Sequence, residues 1–391
     1  MNALLFIVAA GILQAVFLAF VIYYNPDSDK SVNRFLSLYL VTLCIPMLAP
    51  IIQFFFAWQL LFILDPFLLL SAPFLYLYVC SFKEKITAPK AWPHFILFFI
   101  FAGYNYYMYV SFGSKYPPSH HIPAELIALP SAKIRVLVRM GQMLTYVYLA
   151  SKVLTSYQRS ILHLFSETSK INLRWVRWLI NGYFILTIVM GILYLFILRN
   201  PDQFWLIIMI NTVIVTPYIY AVAYKGSRQP MLWQIRQGMD KGEVLQQMHD
   251  AEESEQIISK QVDKTPKNVL SAEKRNEIVD NVLALMSVDK IYLQTELTLQ
   301  DLGGKLNVPY YQVSQAINEG MQKSFYDLVN GYRVEEAKRL LSDPASSNSK
   351  ILAIGLDSGF NSKTTFNTVF KKFTGVTPSD YRQTQKQAAE V

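Results

Sequence analysis

The sequence predicts an all-α chain in two unlike parts, and three observations carry that expectation. Apolar runs near the length of a bilayer crossing recur up to residue 224. Polar segments with capping residues and helically spaced apolar positions fill residues 272–387. Between the two lies a polar, acidic stretch broken by Thr265-Pro266. The composition agrees: 52% of the 391 residues are hydrophobic and 16% are charged, against roughly 25% charged in ordinary soluble chains.

Charge is unevenly distributed. Residues 1–236 hold 18 Lys/Arg and 7 Asp/Glu, residues 237–271 hold 4 and 7, and residues 272–391 hold 14 of each. The basic balance therefore belongs to the apolar part, where cations mark cytoplasmic loops. Cys44 and Cys80 both lie in apolar runs and make neither a disulfide framework nor a metal-ligand spacing.

Seven apolar segments are expected to cross the membrane: 3–24, 35–55, 60–82, 95–112, 134–154, 178–198 and 204–224. The fifth is the weakest, with Arg135 and Arg139 at its start and Lys152 near its end, so a six-span arrangement is its rival. The first lacks a cationic leader and exceeds a signal peptide's apolar core, which predicts a retained span. Placing the N-terminus outside gives the inner connections twelve Lys/Arg and the outer ones three. An odd number of spans then leaves the C-terminal part in the cytoplasm. Tyr23, Tyr24, Trp92, Trp178 and Trp205 fall near the expected interfaces, and Pro46, Pro50, Pro66, Pro73 and Pro217 are expected to kink their helices.

Polar groups inside these segments are candidates for sensing a signal. Asp65 opens the third, Asn105 sits in an aromatic patch of the fourth, and Arg135 and Arg139 share a helical face at i, i+4. Ionisable groups in a bilayer face a cavity or one another, so these four are read either as anchors of a ligand pocket or as a structural Asp–Arg pair. His120 and His121, in the longest outer loop, are read as solvated. Residues 227–271 form a connector whose apolar spacing is too loose for a coiled coil. A flexible chain of ~35 residues has a reach of about 30 Å.

In the C-terminal part, residues 271–287 form an amphipathic helix with Ile278, Val282 and Leu285 on one face. Thr298-Leu-Gln-Asp301 is a capping box for a short helix that ends at Asn307-Val308-Pro309. The next helix, 310–319, turns Val313 and Ile317 inward and leaves Tyr310, Tyr311, Gln312, Ser314, Gln315 and Asn318 outside. Ser324-Phe-Tyr-Asp327 caps a long helix that stops before Asp343-Pro344. The plan then repeats. Residues 351–358 form a helix with Ile351, Ile354 and Leu356 able to face a core, Gly359 turns the chain, Phe360 plugs inward and Ser362 caps a further helix. On that helix Phe366, Phe370 and Phe373 recur near helical spacing, which leaves Ser362, Lys363, Thr364, Thr365, Asn367, Thr368, Lys371 and Lys372 outside. Thr377-Pro378-Ser-Asp380 is a third capping box. Two helix-turn-helix units in succession suit two insertions into a major groove, with Gln, Asn and Lys reading base edges and Lys371, Lys372 and Arg382 gripping phosphates.

The stretch Gly359-Phe360, Phe366, Phe370-Lys371-Lys372, Gly375, Thr377-Pro378 and Tyr381-Arg382, with Leu299, Asp301-Leu302, Ser314, Asn318, Phe325, Asn330, Tyr332-Arg333 and Ala337 before it, resembles the DNA-binding domain of the AraC family of bacterial transcription regulators. The resemblance covers about 272–383. It implies two helix-turn-helix subdomains joined by one long helix, reading asymmetric double-stranded DNA. Gly303-Gly304 and Gly355 depart from the family pattern and are expected to loosen the first helix of each unit. The apolar half looks like the multispan sensor regions attached to such domains.

The expectation is a one-component regulator in the bacterial inner membrane, with domains at 1–226, 227–271 and 272–387. Its expected partners are DNA, membrane lipid, RNA polymerase, a second copy of the chain and a small-molecule or envelope signal; no cofactor is expected. No P-loop, His-Glu-x-x-His or nucleophile elbow points to an enzyme. The rival is a transporter or channel with a regulatory tail.

Overall fold

The computed structural model describes residues 2–25, 30–113, 115–116, 126–127, 129–169, 171–200, 203–227, 270–346 and 349–389. These residues are helical with no strand among them; Phe165 and Thr298 form an isolated antiparallel bridge. His120, His121 and nearly all of the expected connector lie outside the described residues. The chain forms two compact units, Met1–Thr155 with Leu173–Gln234, and Ser156–Asn172 with Ile235–Val391.

The first unit is built from α1 (Asn2–Tyr23), α2 (Lys30–Cys44), α3 (Ala49–Phe55), α4 (Leu60–Leu64), α5 (Ser71–Cys80), α6 (Ala88–Ala91), α7 (Ile96–Gly113), the first part of α8 (Pro130–Leu164), α9 (Arg174–Arg199) and α10 (Phe204–Ser227). Three short 3-10 turns, Ile45–Leu48, Asp65–Leu70 and Trp92–Phe95, join consecutive helices, and each has a proline as its second residue, Pro46, Pro66 or Pro93. Proline removes a backbone donor and crowds the preceding turn, so the helix tightens there rather than running on. Pro217 sits inside α10, where Thr216 Oγ1 donates to the Thr212 carbonyl at 2.8 Å.

Among the described residues, five helical stretches are long and apolar enough to cross a bilayer: Val32–Ile52, Leu60–Cys80, Ala88–Phe112, Arg174–Arg199 and Phe204–Ser227. Val8–Tyr23 is a shorter apolar helix. The expected fifth segment lies within α8 and is not among them. It is helical, but α8 carries Lys133, Arg135, Arg139, Lys152 and Arg159 together with Gln142 and Thr145, which dilute its apolar character.

Side-chain hydrogen bonds lock this unit. Tyr39 OH meets Tyr218 OH at 2.8 Å, and Tyr218 OH donates to the Leu179 carbonyl at 2.8 Å. Ser71 Oγ meets Tyr183 OH at 2.7 Å, and Asn33 Nδ2 donates to the Ile22 carbonyl at 2.7 Å. The outer surface is apolar, with Phe6, Leu13, Tyr106, Ile185, Leu195 and Val213 all exposed.

The second unit holds α11 (Ala272–Ser287), α12 (Leu299–Leu306), α13 (Tyr310–Met321), α14 (Phe325–Ser342), α15 (Ile351–Asp357), α16 (Lys363–Thr374) and α17 (Pro378–Ala389). α11, α12 and α13 pack together and α13 meets α14; α15, α16 and α17 each pack on α14. Ile278, Val282, Leu299, Leu302, Val313 and Ile317 are buried on the first side. On the second, Val334, Ala337, Ile354, Phe360, Phe366 and Phe370 form one core. Leu356, expected to turn inward, is exposed. α15 is only seven residues long, and its inward side is filled by Ile354 and Gly355.

Candidate nucleic-acid interface

Two helices carry the surface residues in question, and local sequence places both. α12 begins in a full capping box, with Thr298 N donating to Asp301 Oδ2 at 2.8 Å and Asp301 N donating to Thr298 Oγ1 at 3.3 Å. Each bond satisfies an amide with no partner inside the helix. Asn307 (φ 53°) ends α12 in the left-handed conformation, and Pro309 starts α13. α13 buries Val313, Ala316 and Ile317. Tyr311 is exposed, and Tyr310, Gln312, Gln315 and Asn318 are half-buried. Gln315 Nε2 donates to Glu319 Oε1 at 2.9 Å.

Ser314, expected outside, is buried at 8% exposure, and its Oγ accepts from Asn318 Nδ2 at 3.4 Å. It lies one residue from Val313 and three from Ile317, so helical spacing brings it onto their side.

The second turn depends on Gly359, whose φ is +89°. A Cβ there would come within 2.6 Å of the Tyr292 carbonyl oxygen, so both the backbone conformation and the space require glycine. Ser362 caps α16, accepting from Thr365 N at 3.2 Å and donating to Thr365 Oγ1 at 3.0 Å. α16 buries Phe366, Val369 and Phe370. Lys363, Thr364, Thr368, Lys371 and Lys372 are exposed, and Ser362, Thr365 and Asn367 are half-buried.

Two of the expected phosphate-gripping cations have partners within the domain. Lys372 Nζ donates to Asp327 Oδ1 at 2.8 Å and lies over the Tyr326 and Phe373 rings. Phe373, expected with the core phenylalanines, is 39% exposed, and it serves as one of those platforms. Arg382 is half-buried, and its Nη1 donates to the Ser349 carbonyl at 2.8 Å.

Two of the three departures at glycine fit tight packing, while Gly304 has open space at its Cβ position. A Cβ at Gly355 would come within 2.6 Å of the Phe366 ring, and one at Gly303 within 2.7 Å of the Val308 carbonyl oxygen.

Sequence reasoning missed a polar junction on α14. Arg333 is 1% exposed, and its guanidinium donates to the carbonyls of Tyr292 (2.8 Å), Gln294 (2.6 Å) and Thr295 (3.2 Å), and to Ser166 Oγ (3.3 Å). Burial pulls its pKa down to about 10, against smaller opposing effects of Glu167 and Tyr326. Asn330 Nδ2 donates to the Ser166 carbonyl at 3.0 Å. Ser166 in turn donates to the Leu297 carbonyl from its amide (3.2 Å) and its hydroxyl (2.6 Å). The segment Ser156–Asn172 is thus stitched into the unit that holds α11–α17. A buried Asn–Arg pair at i, i+3 was the available signal; nothing in the sequence marks Ser166 as its partner.

The four polar residues of the apolar half come together. Arg139 Nη2 donates to Asp65 Oδ1, Arg135 Nη1 lies 3.9 Å from Asp65 Oδ2, and Arg135 Nη1 donates to Asn105 Oδ1 at 2.8 Å. Asn105 Nδ2 donates back to the Phe101 carbonyl at 2.9 Å.

Residues 302–384 match the model of a helix-turn-helix domain family. Over 115 residues the chain is 27% identical to an uncharacterized HTH-type transcriptional regulator of Staphylococcus aureus (strain COL). That match spans 29% of this chain and 14% of the relative's length. A solved structure of a protein of unknown function from Listeria innocua is 30% identical, covering 27% of this chain and 95% of that one, with a TM-score of 0.24. The C-terminal part of the chain therefore carries a helix-turn-helix domain.

Proposed function

We infer that the protein is a membrane-embedded, one-component transcription regulator of the AraC type, with its DNA-reading domain in the cytoplasm. The observation that carries this reading is the pair of helices α13, which starts after Pro309, and α16, capped by Ser362, each with polar residues on its outer side, packed on α14 within a region that matches a helix-turn-helix family. Each would enter a major groove. Lys363, Thr364, Asn367 and Thr368 on α16, with Tyr311, Gln312, Gln315 and Asn318 on α13, would meet base edges, and Lys371 would meet phosphate. Membrane embedding is supported by the apolar helices and their exposed apolar surface, and the cytoplasmic placement by the cation bias of the loops.

Coupling of a signal to DNA runs through α8 and the segment after it. α8 begins in the apolar unit and ends in the unit of the DNA domain, beside Ser166. A signal that moves α8 would pull on the Asn330 and Arg333 contacts of the helix that braces both readers.

The test is selection of a binding site from random duplex DNA by the full chain in lipid nanodiscs, followed by footprinting. A protected site spanning two successive major grooves is the expected result. Binding without sequence preference, or a reporter fused after Val391 that is active only in the periplasm, would refute the reading.

A further inference from the structure

The apolar unit holds a half-open cavity of about 280 Å³, just under the ~300–1,000 Å³ usual for small-ligand sites. Its wall is largely apolar, with Leu61, Met140, Met143 and Ile207 among the lining side chains. Its polar lining is concentrated in a few groups whose hydrogen bonding is incomplete. Among the described residues, Arg139 Nε, Tyr194 OH and Trp58 Nε1 are buried donors with no acceptor, and Asp65 Oδ2 and Asn211 Oδ1 are buried acceptors with no hydrogen-bond donor. Asn211 is 5% exposed and Trp58 1%.

Among the described lining residues the charge is unbalanced: Arg135 and Arg139, with 16% and 13% of their side chains exposed, face the one described carboxylate, Asp65. An unneutralised guanidinium among apolar walls is costly, and an anion supplied from outside would remove that cost. The buried donors suit the oxygens of an acid group, and the buried acceptors suit a hydroxyl close to it.

We propose that this cavity binds a monoanionic amphiphilic acid, with its carboxylate at Arg139 and Tyr194, a neighbouring hydroxyl at Asn211 or Asp65, and an apolar chain among the Leu, Ile and Met side chains. The proposal rests on the sensing role assigned to the apolar unit and names the chemistry of its signal. The acid arrives as a free molecule, not as a headgroup of the surrounding bilayer.

The test uses the full chain in nanodiscs of phosphatidylcholine and, separately, of phosphatidylglycerol, with labelled 3-hydroxydecanoic acid, decanoic acid and decanol as probes. The expected order is hydroxy acid, then acid, then alcohol, with the acid binding about tenfold or more tighter than the alcohol. Arg139→Gln should abolish the preference for acid over alcohol. Tyr194→Phe, a change too small to threaten folding, should weaken the acids several-fold and leave decanol unchanged.

Equal binding of acid and alcohol to the wild type, or unaltered acid binding by both variants, would overturn the proposal. Loss of acid binding in phosphatidylglycerol would overturn the assignment to a free molecule and give the site to the lipid headgroup. The regulator reading is judged separately, by footprinting on the same samples. Acid binding without any change in the footprint supports the ligand and refutes its role as a signal. A sequence-specific footprint with no acid binding refutes the ligand alone.

Discussion

Arg333 and Ser166 stand 167 positions apart in the chain, yet the guanidinium Nη2 donates to the serine hydroxyl at 3.3 Å inside a buried junction. Asn330 grips the carbonyl of the same serine. Removing Arg333 takes the donor from the buried Tyr292 carbonyl, and removing Asn330 takes one from the buried Ser166 carbonyl. Arg333→Met should destabilise the unit by on the order of 3 kcal/mol, the scale of lost hydrogen bonds to a charged donor and the acceptors left behind. Ser166→Ala, which leaves the Asn330 contact in place, should cost about 1 kcal/mol. Thermal unfolding of the full chain in micelles checks both; equal effects would mean the guanidinium's other partners contribute nothing.

Three lysines of α16 should behave differently. Lys363→Ala should change which bases are preferred at one position of the bound site. Lys371→Ala should weaken all sequences alike and reduce the salt slope by about one unit. Lys372 is already paired with Asp327, so Lys372→Ala should change the slope less than Lys371→Ala. Anisotropy titrations of labelled duplexes over a range of salt measure all three.

Two glycines in the first helices of the two subdomains should respond with opposite signs. Gly355→Ala drives a methyl into the Phe366 ring and should cost about 1–3 kcal/mol. Gly304 has nothing within 4 Å of its Cβ position, so Gly304→Ala should stabilise α12 by up to about 1 kcal/mol. Chemical denaturation of the paired variants decides the signs.

Phe370→Ala removes a fully buried ring that contacts Phe366 and Tyr381. The expected loss is about 3–5 kcal/mol. A melting curve matching the wild type would place the ring outside the core.

Glu336 supplies a pH dependence. Its hydrogen bonds from Arg339 hold its pKa below the usual carboxylate value, with the Arg339 and Lys290 charges adding to them against burial. A carboxylate lowered on folding stabilises above its unfolded pKa, and the benefit disappears as pH falls through the folded value. Glu336→Gln should therefore cost less than about 1 kcal/mol near neutrality and converge on the wild type in acid. A stability difference unchanged from pH 7 to pH 3 would contradict the pairing.

Local chemistry was the most legible part of the chain. The capping residues Thr298, Ser324 and Ser362 each accept the amide three residues on, as their spacing implies. Phe366 and Phe370 are buried, as their period requires. Ser314 and Phe373 were misjudged because each sits at the edge of its helix's apolar stripe, where one residue of rotation decides between inside and outside. Gly303 and Gly355 were misjudged for a different reason: a missing side chain reads as looseness until the neighbour filling the space is known. Asp65, Arg135 and Arg139 stand out in any apolar sequence, but the buried groups of Trp58, Tyr194 and Asn211 beside their cavity do not. Trp58 and Tyr194 are ordinary residues for apolar helices, and only tertiary packing brings them to one place.

The unit containing α11–α17 is not one continuous stretch of chain, because Ser156–Asn172 belongs to it. A protease that cut between α10 and α11 would therefore liberate a fragment missing part of its own interior. The amide of Asn330 and one arm of Arg333 would lose Ser166 as their partner, and the amputated piece would stay behind with the other half of the chain. Such a fragment is a different molecule from the intact chain, less stable and with altered bracing of α14, so behaviour measured on a truncated tail does not transfer to the whole protein.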